Sequence, residues 1–271
     1  MCIRDSSRPV LPLSQDSVQV APANVRSNPS DRIALTIEYD GSAFSGWQKQ
    51  KSPALTTVQE TLETALAKVA DQPVAVICAG RTDAGVHATA QVVHFDCQKP
   101  RGKKAWIHGV NSLLPRGVRV VAASPVEETF HARFSAEYRR YCYLISSAPV
   151  SSGIFHGKVT CLKRSLDTQA MHRAAQRLVG EQDFSAFRAA GCQSASANRD
   201  VQAVSVVDWF GITVIDIRAN AFLQHMVRNI SGSLIDIGSG KQNEAWIGEV
   251  LESKDRRRAG VTAPPNGLYL V

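Results

Sequence analysis

The chain has 271 residues, of which 44% are hydrophobic and 20% charged, proportions typical of a globular protein. A formal net charge of +7 favours a polyanionic partner such as a nucleic acid. The apolar stretches are too short for a membrane span, and the N-terminus lacks the apolar core of a signal peptide, so we expect a cytoplasmic protein without membrane segments.

The first predicted elements follow a polar segment. Residues 1–31 contain four prolines among Ser, Asn, Gln and Asp, which predicts a disordered or extraneous tail. The run "RIALTIEYDGS", residues 32–42, then predicts a strand that ends in an Asp-Gly turn.

A helix is predicted next, over "TTVQETLETALAKVA". Thr57 and Glu60 have the spacing of a capping box, and apolar residues recur on one helical face. Further on, "VAVICAG" and "AQVVHFD" predict two strands, and "AWIHGVNSLL" predicts a second helix whose inward residues are Trp106, Val110, Leu113 and Leu114. The run "GVRVVAASPV" predicts another strand.

From about Phe130 a similar pattern begins again. The strand-like "YRRYCYLIS" precedes a helix with an Asp cap, "DTQAMHRAAQRLVG", and a strand pair around Phe210-Gly211. Two more helices are predicted, "EAWIGEVLES" and, before it, "HMVRNISGSLIDIGSG" with Met226, Ile230, Leu234 and Ile237 inward. Arg228 lies two positions after Met226, so we expect it to point away from this apolar face. We therefore predict an α+β protein with two halves, residues 32–128 and 129–271.

One loop between the predicted strands, "CAGRTDAGVHA", raises the question of chemistry. It places Arg81 and Asp83 between Gly80 and Gly85, two residues that permit tight backbone geometry. Asp-Gly pairs are common in plain turns, so the loop alone leaves open whether Asp83 reacts or only turns the chain.

Metal and cofactor chemistry is not indicated. The seven histidines lack a ligand spacing such as HExxH, and the six cysteines contain no CxxC pair. We expect reduced cysteines, and we expect function without a metal or an organic cofactor.

Five strings taken in order give the sequence a family resemblance. They are "YDGSAFSGWQKQ", "CAGRTDAGVHATAQVVHF", "FHARFSAEYRRYCY", "DFSAFRAAGCQS" and "NAFLQHMVRNISGSL". From about Arg32 onward the chain resembles the bacterial tRNA pseudouridine synthase A family. The resemblance implies a pseudouridine synthase fold with two similar halves, mainly antiparallel sheets and a basic central cleft. It also implies a homodimer that converts uridines 38, 39 and 40 of the tRNA anticodon arm to pseudouridine.

The resemblance also assigns the site residues. Asp83 is implied to be the catalytic carboxylate, either as nucleophile or as the base of a glycal route. Arg228 is implied to pair with Asp83, and Tyr141 to stack on the flipped base and assist proton transfer. Arg81 is implied to enter the space that the flipped base leaves.

Further basic residues are expected to neutralise the RNA backbone as a group. The run "RRR" at 256–258 is the weakest candidate, because charge runs are usually solvated surface. The other candidates are "RGKK" at 101–104, Arg116, Arg119, Arg133, Arg139 and Arg140.

Three alternatives stay open at this point. The protein could bind RNA without catalysis, although binding alone needs no reactive carboxylate. It could hydrolyse a nucleoside, which usually requires a second carboxylate, with Asp40 and Glu38 as candidates. It could also be a synthase for another RNA or other uridines.

Overall fold

The computed structural model describes residues 31–50, 55–99 and 101–271. The predicted tail lies outside these residues except for Asp31, which begins the first strand opposite Cys97. The strands are β1 Asp31–Tyr39, β2 Ile77–Cys78, β3 His87–Cys97, β4 Val118–Val126, β5 Arg139–Ser146, β6 Thr160–Cys161, β7 Gly180–Asp183, β8 Asn198–Trp209, β9 Ile212–Ala219 and β10 Leu268–Leu270. The α-helices are α1 Val58–Ala70, α2 Val110–Leu113, α3 Thr168–Ala175, α4 Met226–Gly238 and α5 Trp246–Ser253.

The strands form one mostly antiparallel sheet in the order β4-β1-β3-β10-β5-β9-β8-β7, with β2 paired to β3 and β6 paired to β5. Strands β1–β4 lie on one side of β10 and strands β5–β9 on the other. The mixed α and β content and the antiparallel pairing confirm the predicted class. The division into residues 32–128 and 129–271 stays a prediction.

Strand β10 joins the two parts of the sheet. It runs parallel to β3, where Leu270 is opposite Ala88, and antiparallel to β5, where the same residue is opposite Tyr141. A strand of three residues therefore fixes the register between the chain that follows Asp83 and the strand that carries Tyr141.

Helix α1 forms as its capping box predicts. The Thr57 hydroxyl accepts a hydrogen bond from the backbone N–H of Glu60, and Asp71 ends the helix in the left-handed conformation. Val58, Leu62 and Leu66 are buried on the face turned to the sheet.

The helix predicted over "AWIHGVNSLL" forms, but not all of its predicted inward residues are buried. A π-helical turn over Ala105–Gly109 precedes α2, and its wider repeat shifts the phase of the residues that follow. Trp106 and Leu114 are buried as a result, whereas Leu113 is 46% exposed. The prediction that Leu113 faces inward is wrong for this reason.

The run "VAVICAG" forms a shorter strand than predicted. Only Ile77 and Cys78 pair with β3, because the backbone N–H of Val76 donates instead to the Glu63 side chain on α1. Asp83 nevertheless lies between two strands, β2 and β3, as predicted.

Helix α4 is buried on nearly all sides. Its predicted inward residues Met226, Ile230, Leu234 and Ile237 are buried. The face with Arg228 was expected to point away from the apolar side, but the segment before β10 covers it. The Arg228 side chain is only 14% exposed, and its Nε donates to the carbonyl of Ala263 at 2.8 Å.

None of the helices in the described part of the chain is long and apolar enough to cross a membrane.

Candidate active site

A cleft of about 1190 Å³ opens around the Asp83 loop. Its walls come from the two sides of β10: residues 45–50 and 76–86 contribute most of one wall, and Tyr141 and residues 221–228 contribute much of the other. Asp83, Tyr141, Arg228 and Arg81 all line it, so the four site residues implied by the sequence lie in one cleft.

The Asp83 loop is held from below by buried polar groups. The Thr82 hydroxyl lies 2.7 Å from the hydroxyl of Tyr39 on β1. Gln91 on β3 is fully buried, and its amide bonds to both the N–H and the carbonyl of Gly80. These contacts fix the backbone on the N-terminal side of Asp83.

The segment around Gly46 holds the same loop from the side. The backbone N–H of Trp47 donates to the Thr82 carbonyl at 3.0 Å. Gly46 has φ +97°, and a Cβ there would lie 3.0 Å from the Thr82 carbonyl oxygen and 3.2 Å from the Ala84 nitrogen. Only glycine permits this approach without displacing the loop.

The two glycines of the loop itself differ. Gly85 has φ +79°, in the left-handed region that favours glycine. Gly80 is not in that region, and a Cβ there would lie 3.6 Å from the Tyr141 hydroxyl. The expected backbone freedom is therefore used at Gly85, whereas a Cβ at Gly80 would make an ordinary van der Waals contact with Tyr141.

Two side chains approach one oxygen of Asp83. Arg228 Nη1 donates a hydrogen bond to Asp83 Oδ2 at 3.3 Å, and His225 Nε2 lies 3.3 Å from the same oxygen. Within the described residues, Oδ1 makes no hydrogen bond. The arrangement holds the carboxylate by one oxygen and leaves the other free for a substrate.

His225 was not identified from the sequence. It occupies the N-cap of α4 with φ 60°, a left-handed conformation that is uncommon for residues other than glycine. Its side chain makes no capping hydrogen bond and is directed to Asp83. A histidine directly before a helix, where Ser, Thr, Asp or Asn is usual, was the signal that could have indicated it.

Tyr141 lies on the floor of the cleft. Its side chain is 8% exposed, and its ring packs edge-on against Phe222 with centroids 5.1 Å apart. Burial, together with the negative charge of Asp83, raises the pKa of the Tyr141 hydroxyl. That hydroxyl has no hydrogen-bond partner among the described residues, so it is available to a molecule in the cleft.

The charge of the cleft is strongly positive. Its lining contains five arginines, Arg81, Arg133, Arg139, Arg199 and Arg228, and Asp83 is the sole carboxylate among the described lining residues. Arg81 is exposed and makes no hydrogen bond with any described residue, so its guanidinium is free to move. A polyanion would be attracted to this surface.

Some of the basic residues expected to contact RNA line the cleft, and others lie outside it. Arg133 and Arg139 line the cleft, but Arg140 lies outside that lining and pairs with Asp216 on β9. Arg139 donates hydrogen bonds to the carbonyls of Ala79, Arg133 and Asn220, and so connects three segments of the cleft wall.

A second carboxylate for hydrolysis is not found beside Asp83. Neither Glu38 nor Asp40 belongs to the cleft lining. Asp40 pairs with Lys158; although partial burial opposes ionisation, hydrogen bonds from Lys158 and Ser42 hold its pKa at about 2. This geometry argues against the two-carboxylate hydrolase.

The described residues contain no group of three or more His, Cys, Asp or Glu side chains that could hold a metal ion.

Comparison with known proteins agrees with these observations. A family model described as tRNA pseudouridine synthase matches residues 35–135 and 174–271. The chain is 54% identical over 240 residues to tRNA pseudouridine synthase A of Shewanella woodyi, covering 89% of this chain and 91% of the relative. It is 51% identical over 240 residues to the enzyme of the same name from Pseudoalteromonas atlantica, covering 89% and 90%. With the Legionella pneumophila (strain Lens) enzyme of that name the identity is 50% over 240 residues, covering 89% and 91%.

Proposed function

This chain belongs to the tRNA pseudouridine synthase family, and from that membership we propose that it isomerises uridine to pseudouridine in the anticodon stem-loop of tRNA. The observation that carries the proposal is the geometry of Asp83. It is one carboxylate in a cleft lined by five arginines, held by Oδ2 with Oδ1 free. The uridines at positions 38, 39 and 40 are the targets that the resemblance implies.

The reaction rearranges bonds without a net change in atoms. The N1–C1′ bond of uridine breaks, the uracil turns, and a C5–C1′ bond forms. The proton on C5 leaves and N1 gains one. Because no group is added and no electrons are exchanged with another molecule, one carboxylate and a means of moving the C5 proton meet the chemical requirement.

Asp83 acts on the ribose through its free Oδ1. On one route Oδ1 attacks C1′ and forms an ester as the N1–C1′ bond breaks. On the other it removes the C2′ proton and leaves a glycal. Either route needs the carboxylate in a fixed orientation, which the hydrogen bond from Arg228 Nη1 to Oδ2 and the adjacent His225 ring favour.

Tyr141 holds the base and relays its proton. A phenol is neutral near pH 7, and burial raises the pKa of this one further. It can take the C5 proton only while its own proton passes to water in the open cleft, and that water supplies the proton that N1 gains, so Tyr141 acts as a proton relay. The ring supplies a face on which the uracil stacks.

RNA recognition follows from the arginines and from the depth of the site. A uridine in a stem must leave the base stack to reach Asp83. Arg81 is exposed and unpaired within the described residues, which suits it to occupy the gap that the flipped base leaves. Arg133, whose guanidinium makes no hydrogen bond with any described residue, would bind a phosphate.

We further propose that the enzyme works as a homodimer in the cytoplasm. The cytoplasm is where its tRNA substrate resides. A second copy would provide more surface for an RNA much larger than the cleft.

The function is tested by Asp83→Asn in a single-turnover assay of tritium release from tRNA that carries [5-³H]uridine. Asn is nearly isosteric, so folding and tRNA affinity should stay within a few-fold of wild type while tritium release disappears. Asp71→Asn is the matched control, because Asp71 is exposed, caps α1 outside the cleft and should leave the rate unchanged. Turnover by a folded Asp83→Asn protein at the wild-type rate would refute the assignment.

A further inference from the structure

An exposed aromatic ring lies in the "FHARFSA" segment, which the proposed reaction does not use. The Phe134 side chain is 76% exposed, unusual for a residue type that is mostly buried. The turn beneath it is rigid: the backbone N–H groups of Phe134 and Ser135 donate to the His131 carbonyl at 3.0 and 2.8 Å. The N–H of Phe134 also lies 3.2 Å from His131 Nδ1.

The orientation of the Phe134 ring is set by a row of rings that starts in the core. Phe134 stacks on His131 with centroids 4.3 Å apart and an interplanar angle of 28°. The His131 ring lies 4.9 Å from that of buried His94, which in turn meets Phe130 edge-on. An aromatic side chain held in this way loses little conformational entropy when a ligand stacks on it.

The ring lies beside the Asp83 cleft. Arg133, the preceding residue, lines the cleft, and its guanidinium carbon is 5.6 Å from the centre of the Phe134 ring. Arg139 bonds to the Arg133 carbonyl and to Ala79 at the start of the Asp83 loop. The turn with Phe134 is therefore tied to the loop that carries the reactive carboxylate.

We propose that the His131–Phe134 ring pair is a stacking platform for an unpaired base of the RNA, next to the base that enters the cleft. The proposal rests on the proposed function and adds a binding site to it. Any base offers a π-face to such a ring, and an adjacent arginine can bind the phosphate of the same nucleotide. The arginine-lined cleft beside the ring favours nucleic acid over an apolar protein surface.

The test is a set of binding measurements by fluorescence anisotropy with an anticodon-arm RNA at several salt concentrations. Phe134→Ala should weaken binding at least about 5-fold, because stacking on an aromatic ring contributes that much per base. Phe134→Trp should restore binding, since it keeps a stacking face. The saturated single-turnover rate should be unchanged in both variants.

The salt dependence of RNA affinity distinguishes a stacking contact from a phosphate contact. Phe134→Ala should leave the slope of log affinity against log salt unchanged, whereas Arg133→Ala should reduce it by about one, the loss of one phosphate contact. The control is Phe210→Ala, because Phe210 is 85% exposed at the β8–β9 turn. That turn lies at the far end of β5 from Arg139, roughly 24 Å away along the strand, and we expect no effect on binding.

Three results would overturn the platform. One is equal RNA affinity of Phe134→Ala and wild type, and another is an equal loss in Phe210→Ala. The third is a changed oligomeric state of Phe134→Ala on size-exclusion chromatography with light scattering, which would assign the ring to a contact between copies of the chain. If the wild-type protein itself neither binds nor converts the RNA, the proposed function fails together with the platform.

Discussion

Replacing His225 by glycine or by glutamine should affect the stability of the protein and its reaction rate in opposite orders. At φ 60° an ordinary side chain costs about 1–2 kcal/mol relative to glycine. His225→Gly removes that cost but also removes one of the two side chains that approach Asp83 Oδ2. His225→Gln keeps a polar group near Oδ2, since its amide nitrogen occupies about the place of Nε2, but it keeps the backbone strain as well.

The expected magnitudes follow from these contacts. The Gly variant should be about 1–2 kcal/mol more stable than the Gln variant, a difference in melting temperature of a few degrees. The His225 ring and the Asp83 carboxylate lie 3.3 Å apart and are each about one-third exposed, and a contact of this kind contributes about 0.5–1 kcal/mol. The Gly variant should therefore turn over about 2- to 5-fold more slowly than wild type. The Gln variant should recover most of that rate.

The two measurements are a thermal unfolding curve and single-turnover tritium release at saturating enzyme. The reasoning predicts opposite rank orders, with Gly above Gln in stability and below it in rate. If His225 only supported the fold, stability and rate would fall together in both variants, and the assignment of His225 to positioning Asp83 would be refuted. RNA affinity within two-fold of wild type in both variants would show that the loss lies in the chemical step.

Three further changes are expected to have separable effects. Tyr141→Phe should slow tritium release by about 100-fold with RNA affinity nearly unchanged, because the ring stays packed on Phe222 and only the proton relay is lost; an equal loss of affinity would contradict this. Gly46→Ala should slow the reaction by pushing a Cβ against the backbone of the Asp83 loop, whereas Gly211→Ala, at φ +82° with open space around it, should cost stability without reducing the rate. Protein treated with excess chelator and then desalted should retain full activity on an anticodon-arm RNA; recovery only after a metal is added would refute the prediction.

The sequence predicted most elements whose signals are local. The capping box at Thr57 and Glu60 and the apolar periodicity of α4 depend on residues a few positions apart, and both helices form as expected. Leu113 was misplaced because a π-helical turn changes the repeat without a clear mark in the sequence. Strand β10 was missed because three residues carry too little pattern, and its pairing with β3 and β5 is entirely long-range.

The site was predictable to the extent that motifs marked it. The strings around Asp83, Tyr141 and Arg228 indicated which residues meet, and all three line the cleft. No local pattern reports that His225 adopts a left-handed conformation and turns to the same carboxylate oxygen. The sequence also did not indicate which arginines face the cleft. Arg139 and Arg140 are neighbours in sequence, but Arg139 lines the cleft and Arg140 pairs with Asp216.

The place of β10 in the chain has a consequence for biosynthesis. A ribosome delivers β1–β9 first, yet the strand that sets Tyr141 against the Asp83 side of the sheet lies at residues 268–270. Nascent chains that have not reached this point carry every reactive side chain but lack the strand that aligns them. Premature termination shortly before Leu268 would thus be as damaging as a change at Asp83, and the enzyme would remain inactive until residues 268–270 have been translated.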